Sequence, residues 1–371
     1  MAARAGRRIT AVPMQAAVLR QAGEPLRIET LALDRPRADE VLVRLVASGI
    51  CRTDVDLGDA WAASSGAAVL GHEGAGVVEE VGRRVKHVRR GDHVLLSYQS
   101  CGHCRACRRG HPVACAHFDA LNFGFQREDG SNALQASGVR GHFFGQSSFA
   151  THALATERNI VKVSRRLPLA VLAPLGCGIQ TGAGTVLNSL KVRKGESIAI
   201  FGTGTVGLAA VMAAKLVGAG VVIGVDVVPK RLRLARELGA THTINSRRTD
   251  VASRIRAITG SGVDCVLEIT GDAGMRRLAI EVLNPNGTVA LIATPNGSQT
   301  LAQGRKIISI IQGDAVPQRF LPRLIRLWQA GCFPFDRLVT FYRFRDINKA
   351  MADLRRGATI KPVLQISRTP V

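Results

Sequence analysis

The sequence predicts a two-domain α/β chain in which β-rich segments flank a doubly wound parallel sheet. Length is the first observation: 371 residues exceed the roughly 100–200 of one domain and supply a core for each of two. The second is a change of texture near Pro174, from short strands broken by Gly, Pro and Asp to apolar strands alternating with longer amphipathic helices. The third is a glycine-rich turn, Gly202-x-Gly204-x-x-Gly207, between a strand and a helix at the head of that alternation.

The chain opens on "MAARAGRRITAVPMQAAVLR", which is basic, but Pro13, Gln15 and Arg20 interrupt any apolar run, so no signal peptide is read. Residues 1–13 are expected to form a disordered, dispensable extension, with Met14 an alternative start. From Met14 to about Cys51, "QAAVL", "LRIETL" and "EVLVRLVASGI" alternate or run apolar over short lengths, which is strand-and-turn sequence. "GHEGAGVVEEVG" and "GDHVLLSY" continue it, with glycines where a barrel-like sheet bends.

Beyond Pro174 the strand candidates are Ser197–Phe201, Val221–Val225, Val263–Ile269, Thr288–Ile292 and Ile307–Ile311, with helices between them. Such alternation implies parallel strands joined by right-handed crossovers. Val206–Val225 is apolar except for Lys215 and resembles a membrane span, but Gly218 and Gly220 split it into a helix and a strand. After Pro317 come two helical stretches, "RFLPRLIRLWQAG" and "INKAMADLRRG", and a closing strand, "TIKPVLQI". The expected domains are therefore residues 14–178 with 317–371, and residues 179–316 between them.

The net charge of +22, from 50 Lys+Arg against 28 Asp+Glu, invites a nucleic-acid reading. The cations are scattered, however, and even the clusters Arg4–Arg8, Arg83–Arg90, Arg105–Arg109 and Arg231–Arg236 are not interleaved with aromatics, only 4% of the chain. A solvated Arg-rich surface that attracts anionic ligands is the better account. No nucleic-acid or membrane partner is expected. Eight cysteines in so long a chain fall far below disulfide-scaffold density and point to a reducing, cytoplasmic location.

Half of those cysteines stand in "SCGHCRACRRGHPVAC", spaced Cys101-x2-Cys104-x2-Cys107-x7-Cys115. Thiols two residues apart suit a turn that folds its sulfurs around one point, as a structural tetrahedral Zn²⁺ requires. An Fe–S cluster, a disulfide knot or four unrelated cysteines are the competing readings.

Elsewhere, Cys51 opens "CRTDVD", His72 and Glu73 sit in "GHEGAG", and Cys177 sits in "APLGCGIQTGAG". Each lies in glycine-rich, loop-like sequence, and two Cys with one His would hold Zn²⁺ while leaving a fourth position open. Cys265 and Cys332 have no such setting and read as inert thiols.

In the glycine turn, Gly202 permits the tight turn, Gly204 lets backbone N–H groups approach a pyrophosphate, and Gly207 permits close helix packing. Asp226 ends the second strand about 20 residues past Gly207, where an acidic side chain binds the ribose hydroxyls of NAD and repels the extra phosphate of NADP. Arg231, one helical turn further on, is placed either to bind the same ribose or merely to solvate a helix face.

Together these stretches, with the terminal "GATIKPVLQI", resemble the zinc-dependent medium-chain alcohol dehydrogenases over nearly the whole chain. Within that family the chain is most similar to the benzyl (aryl) alcohol dehydrogenases, through "FFGQSSFATHALATERNIVKV", "LGCGIQTGAGTVLNSL" and "FPFDRLVTFY". The resemblance implies a GroES-like catalytic domain, a Rossmann domain for NAD, and two zinc ions per chain. Cys51, His72 and Cys177 match the catalytic zinc ligands, and Cys101, Cys104, Cys107 and Cys115 match the structural ones. Thr53 matches the hydroxyl that starts the proton relay, Asp54 the partner of the ligand His, and Glu73 a carboxylate that transiently ligates the metal. Arg52 and Lys361 match the cations that hold the cofactor pyrophosphate.

One departure is that the family's relay His is here Asp56, so the proton passes to Asp56 or to water. The implied reaction is NAD-linked oxidation of a primary, aryl or benzyl alcohol to the aldehyde, in a cleft between the domains, by a homo-oligomer, dimer or tetramer. Trp61 and Tyr98 are the candidate walls of a flat pocket, against the plain reading that both are packed aromatics. A thiol-adduct (S-hydroxymethyl) formaldehyde dehydrogenase of the same fold is the alternative.

Overall fold

The computed structural model of the chain describes residues 11–62, 65–136, 138–292 and 299–367. They fall into two units: residues 1–176 with 339–371, and residues 177–338.

The first unit is built on antiparallel pairing. In its seven-stranded sheet the order is Val339–Arg343, Lys361–Gln365, Glu40–Gly49, Gly74–Val81, His93–Leu96 and Ile160–Val163, with His152–Thr156 also pairing to Glu40–Gly49. Glu40–Gly49 is central and buried at nearly every position, which is why "EVLVRLVASG" reads as an apolar run rather than an alternation. A smaller four-stranded sheet holds Arg27–Leu33, Val12–Leu19, Ala67–Val69 and Val139–Arg140. Here the expectation of an extension through residue 13 is corrected. Val12 pairs with Leu33 and Pro13 with Ala32, and the proline is tolerated in a partly exposed opening turn of the strand. Residues 1–10 lie outside the described residues.

The second unit is a seven-stranded sheet in the order His242–Asn245, Val221–Asp226, Ser197–Phe201, Val263–Glu268, Leu283–Ile292, Lys306–Ile310 and Gln299–Thr300. All its pairings are parallel except the last. Chain order reverses at Ser197–Phe201, between the second strand and the fourth, so the crevice past its carboxyl end is the place for a ligand. The apolar stretch from Val206 divides as expected, into the helix Thr205–Leu216 and the strand Val221–Asp226, with Gly218 between them at φ +74°. Among the described residues no single helix is long and apolar enough to cross a membrane.

The helix Pro317–Gln329 groups with this parallel-sheet unit, not with the flanking domain, because it buries Phe320, Leu321, Leu324 and Ile325 there. The unit boundaries accordingly fall at 176/177 and 338/339 instead of 178/179 and 316/317.

Candidate active site and metal centres

One helical turn carries much of the first site. Cys51 is the N-cap of the helix Arg52–Asp59, with extended backbone at φ −108° and ψ 161°. Three residues on, Asp54 closes a capping box by accepting from the Cys51 backbone N–H at 2.9 Å with Oδ2. Its other oxygen accepts from Gly71 N at 3.1 Å and from His72 Nδ1 at 3.0 Å. An ionised carboxylate only accepts, so Nδ1 donates to it and Nε2 is the ring nitrogen left to face a metal. That Nε2 is buried and has no hydrogen-bond partner, an arrangement that costs about 1–3 kcal/mol unless something binds there.

His72 is aimed by its neighbours. Gly71 stands at φ +91°, and a Cβ there would meet Phe149 N at 2.4 Å, so only glycine fits. Gln146 accepts from Gly74 N and donates to His72 O and Ser97 O, all at 3.0 Å. Burial pulls the His72 pKa down, but the Asp54 carboxylate outweighs it and holds the metal-free imidazole well above its ordinary value.

Donor atoms of Cys51, His72, Glu73 and Cys177 all lie within 4.8 Å of one another, with no disulfide among them. Cys177 is the residue at which the chain passes from the first unit to the second, directly after buried Gly176. Two sulfurs, an orphaned imidazole nitrogen and a retained carboxylate fit a zinc site of the open kind. Thr53 Oγ1 stands 3.7 Å from Cys51 Sγ, on the same helical turn.

Both cations are paired with carboxylates. Lys361 is 1% exposed and donates to Ile50 O at 3.0 Å and to both Glu73 oxygens at 2.9 and 3.0 Å. It is therefore the counter-charge of a buried carboxylate. Burial nevertheless keeps the Glu73 carboxyl above its usual range, with Lys361 pulling it back. Arg52 is exposed and ion-paired with Asp56 at 2.6 Å, so the carboxylate expected to relay a proton is already held by a guanidinium.

In the second cluster, Cys101, Cys104, Cys107 and Cys115 place their sulfurs within 4.8 Å. Cys101 and Cys107 sulfurs are 3.9 Å apart, close to the ~3.8 Å that tetrahedral geometry with ~2.3 Å Zn–S bonds demands. Backbone N–H groups of Cys104 and His117 donate to the Cys101 and Cys115 sulfurs at 3.3 and 3.4 Å, as they do to thiolates. Without a cation the four are mismatched: burial pushes Cys115 up to about 12, while N–H groups of Cys107 and Ala116 draw Cys104 down to about 6. A dication resolves that mismatch by deprotonating all four. No disulfide joins these four thiols among the described residues.

At the glycine turn, Gly202 sits at φ +97°, and a Cβ on Gly207 would meet Gly202 O at 1.9 Å. A Cβ on Gly204, by contrast, would meet nothing within 4 Å, so the N-cap of the helix Thr205–Leu216 faces open space for a ligand. Asp226 closes the turn from below. Its Oδ2 accepts from Thr203 N at 2.7 Å and Thr203 Oγ1 at 2.9 Å, its Oδ1 from Val228 N at 2.9 Å, and Arg231 lies 4.0 Å away.

Trp61 and Tyr98 are core residues, 7% and 1% exposed, in one apolar cluster. Trp61 packs edge-on to Phe125 and donates to Gly66 O at 2.7 Å, and Tyr98 packs on Phe118. The rings that do reach the first site escaped the sequence reading. Phe144 stacks on His72 with centroids 4.7 Å apart, Phe143 meets it edge-on at 5.4 Å, and Phe123 stands 5.1 Å from Phe144 while 42% exposed. Phe143 and Phe144 open "FFGQSSFATHALATERNIVKV", which carried the aryl resemblance but gave these two rings no role, and the structure adds a positive φ at His142 and Phe144.

An open thiolate–imidazole site, a closed four-thiolate site and a dinucleotide turn together define a metal-dependent oxidoreductase. Residues 37–165 match the alcohol dehydrogenase GroES-like domain and residues 205–322 the zinc-binding dehydrogenase family. The geraniol dehydrogenase of Castellaniella defragrans is 46% identical over 365 residues, covering 95% of this chain and 98% of the relative. Among solved structures, a zinc-binding-domain alcohol dehydrogenase from Burkholderia ambifaria is 50% identical (TM-score 0.90) and benzyl alcohol dehydrogenase from Acinetobacter calcoaceticus 43% identical (TM-score 0.92). Each covers 96% of this chain and is itself covered completely. The chain belongs to the zinc-binding medium-chain alcohol dehydrogenases.

Proposed function

We propose that this alcohol dehydrogenase oxidises a primary alcohol whose carbinol carbon adjoins a flat unsaturated group, benzylic or allylic, to the aldehyde, using NAD and two zinc ions. The observation that carries the reading is the exposed ring of Phe123, which packs on buried Phe144, itself stacked on His72. Relatives named for geraniol and for benzyl alcohol support the same class. When bound, zinc lowers the pKa of the substrate hydroxyl and the nicotinamide ring accepts the hydride.

The chain's own residues do the rest. Cys51, His72 and Cys177 hold the metal, and Asp54 fixes the His72 tautomer so that Nε2 is always the donor. Thr53 Oγ would accept the hydroxyl proton as its own hydroxyl proton passes to solvent water, near the exposed Arg52–Asp56 pair. Lys361 holds both oxygens of Glu73 and so keeps that carboxylate from standing as a permanent fourth ligand. Cys101, Cys104, Cys107 and Cys115 close around the structural zinc.

Turnover measured across ethanol, benzyl alcohol, cinnamyl alcohol and geraniol with NAD and NADP tests this reading, with higher kcat/KM expected for the unsaturated alcohols. Phe123→Ala is expected to lower the benzyl-to-ethanol ratio by up to about tenfold, the ~0.5–1.5 kcal/mol of one aromatic contact. Trp61→Ala should leave the ratio unchanged and instead cost about 3–5 kcal/mol of stability. Ethanol used as well as benzyl alcohol would overturn the substrate class and leave the zinc chemistry standing.

Cofactor choice rests on Asp226. Asp226→Gly is expected to narrow the preference for NAD over NADP about tenfold or more, because like charges facing each other cost several kcal/mol. It should also raise KM for NAD, since Thr203 loses the carboxylate that holds the turn. Equal use of both cofactors by the unmutated enzyme would refute the assignment.

A further inference from the structure

We infer that Gln312 is a positioning residue that tunes Cys177 by donating a hydrogen bond to its sulfur. Gln312 is buried, and its Nε2 lies 3.6 Å from Cys177 Sγ. The amide is oriented from its other end, where Oε1 accepts from Gln180 Nε2 at 2.8 Å, so the NH₂ group has to face the sulfur. Both glutamines belong to the unit that Cys177 opens.

The backbone shows how much is arranged to hold that amide in place. Gln312, Gly313 and Asp314 stand consecutively at φ +53°, +64° and +48°, two of them non-glycine residues in the left-handed region. Strain of this kind persists only where the surroundings over-determine it. Here they do: Asn188 Nδ2 donates to Gly313 O at 3.1 Å, and Ser189 Oγ donates to Asp314 Oδ2 at 2.6 Å. Gly313 also lies so close to the helix Gly178–Gly184 that a Cβ on Gly184 would meet Gly313 O at 2.3 Å. The same helix starts from Cys177 as N-cap, so thiol and amide are fixed to one rigid element.

A donor on a thiolate withdraws electron density from the sulfur, which lowers its donation to a metal and leaves the metal a stronger acid toward the substrate oxygen. Cys51 sulfur has the Thr53 hydroxyl as its neighbour at 3.7 Å, so the two thiolates of the site are in unlike environments.

The inference rests on Cys177 being a metal ligand, and the experiment separates the two. Cobalt is substituted for zinc in the unmutated protein, and the thiolate-to-cobalt charge-transfer absorption that disappears in Cys177→Ser, with the metal of that site, is taken as the component that depends on Cys177. Gln312→Leu removes the donor, and that component is expected to move to longer wavelength, with the pH profile of kcat displaced upward. Gln312→Glu keeps the acceptor for Gln180 but offers no N–H, and should displace the band the same way, which preserves the test should the leucine variant not fold. Zinc retention against a chelator is expected to change about tenfold in both. A band unmoved in both variants would overturn the role of Gln312. The lack of any Cys177 component in the unmutated protein would overturn the ligand assignment and the inference with it.

Discussion

His72→Ala is expected to reduce alcohol oxidation by at least about a thousandfold while leaving a folded chain that holds one zinc fewer. The magnitude follows from losing the several kcal/mol of charge stabilisation that the metal supplies, at 1.36 kcal/mol per tenfold in rate. Folding should survive because the imidazole contributes little that its neighbours lack. Nε2 has no partner in the metal-free chain, and Asp54 keeps the Gly71 and Cys51 N–H groups when Nδ1 is removed. Cys51→Ser and Cys177→Ser should behave alike. Metal content, a circular dichroism spectrum and turnover decide it, and a variant retaining a tenth of the activity would end the assignment of this site to catalysis.

Cys104→Ser is expected to do the reverse, costing stability first and activity only as a consequence. A closed four-thiolate site contributes its binding free energy to folding, because the arrangement does not exist in the unfolded chain. The sulfurs gather around a segment with little other reason to be ordered: the helix Arg105–Arg108 is four residues long and only Cys107 of it is buried. Loss of several kcal/mol should lower Tm on the order of 10 °C. Below that temperature kcat should stay near the unmutated value. Calorimetry with zinc analysis checks it, and an unchanged Tm with one zinc lost would show the cluster to be dispensable to the fold.

What could be read from the sequence was what sequence keeps local. The four-cysteine spacing, the glycine turn and the position of Asp226 are short-range patterns, and each folds as its spacing demands. Cys51, Thr53 and Asp54 share one helical turn, so recognising one finds the others. The strand His242–Asn245 escaped because three of the four residues of "HTIN" are polar and only Ile244 is fully buried, so it shows neither alternation nor an apolar run. The pairing of Lys361 with Glu73 was hidden because the two lie 288 residues apart, and nothing in "TIKPVLQI" shows that the ammonium is buried against a carboxylate. The aromatic wall was missed for a different reason. Phe123 and Phe144 are ordinary apolar residues by composition, and their meaning lies in packing that only the fold creates, Phe144 on His72 and Phe123 on Phe144.

The division of the first unit into two stretches of chain sets an order of assembly during synthesis. The parallel-sheet unit is one continuous run, residues 177–338, and every contact it needs is available once that run has left the ribosome. The unit that carries His72 and Glu73 is different: its strand Lys361–Gln365, which pairs with Glu40–Gly49, emerges only after the whole parallel-sheet unit. At roughly 5–20 residues per second, about 10–40 s separate the appearance of Gly176 from that of Lys361. Through that interval Glu73 has no ammonium beside it, and the Ala47–Gly49 end of one edge stands without its neighbour, the other end of that edge being paired with His152–Thr156. The nascent catalytic unit is thus an exposed sheet edge beside an uncompensated carboxylate, the condition in which holding chaperones bind and stray strands add. Its completion is a single late event, in which one strand supplies both the missing edge and the missing charge.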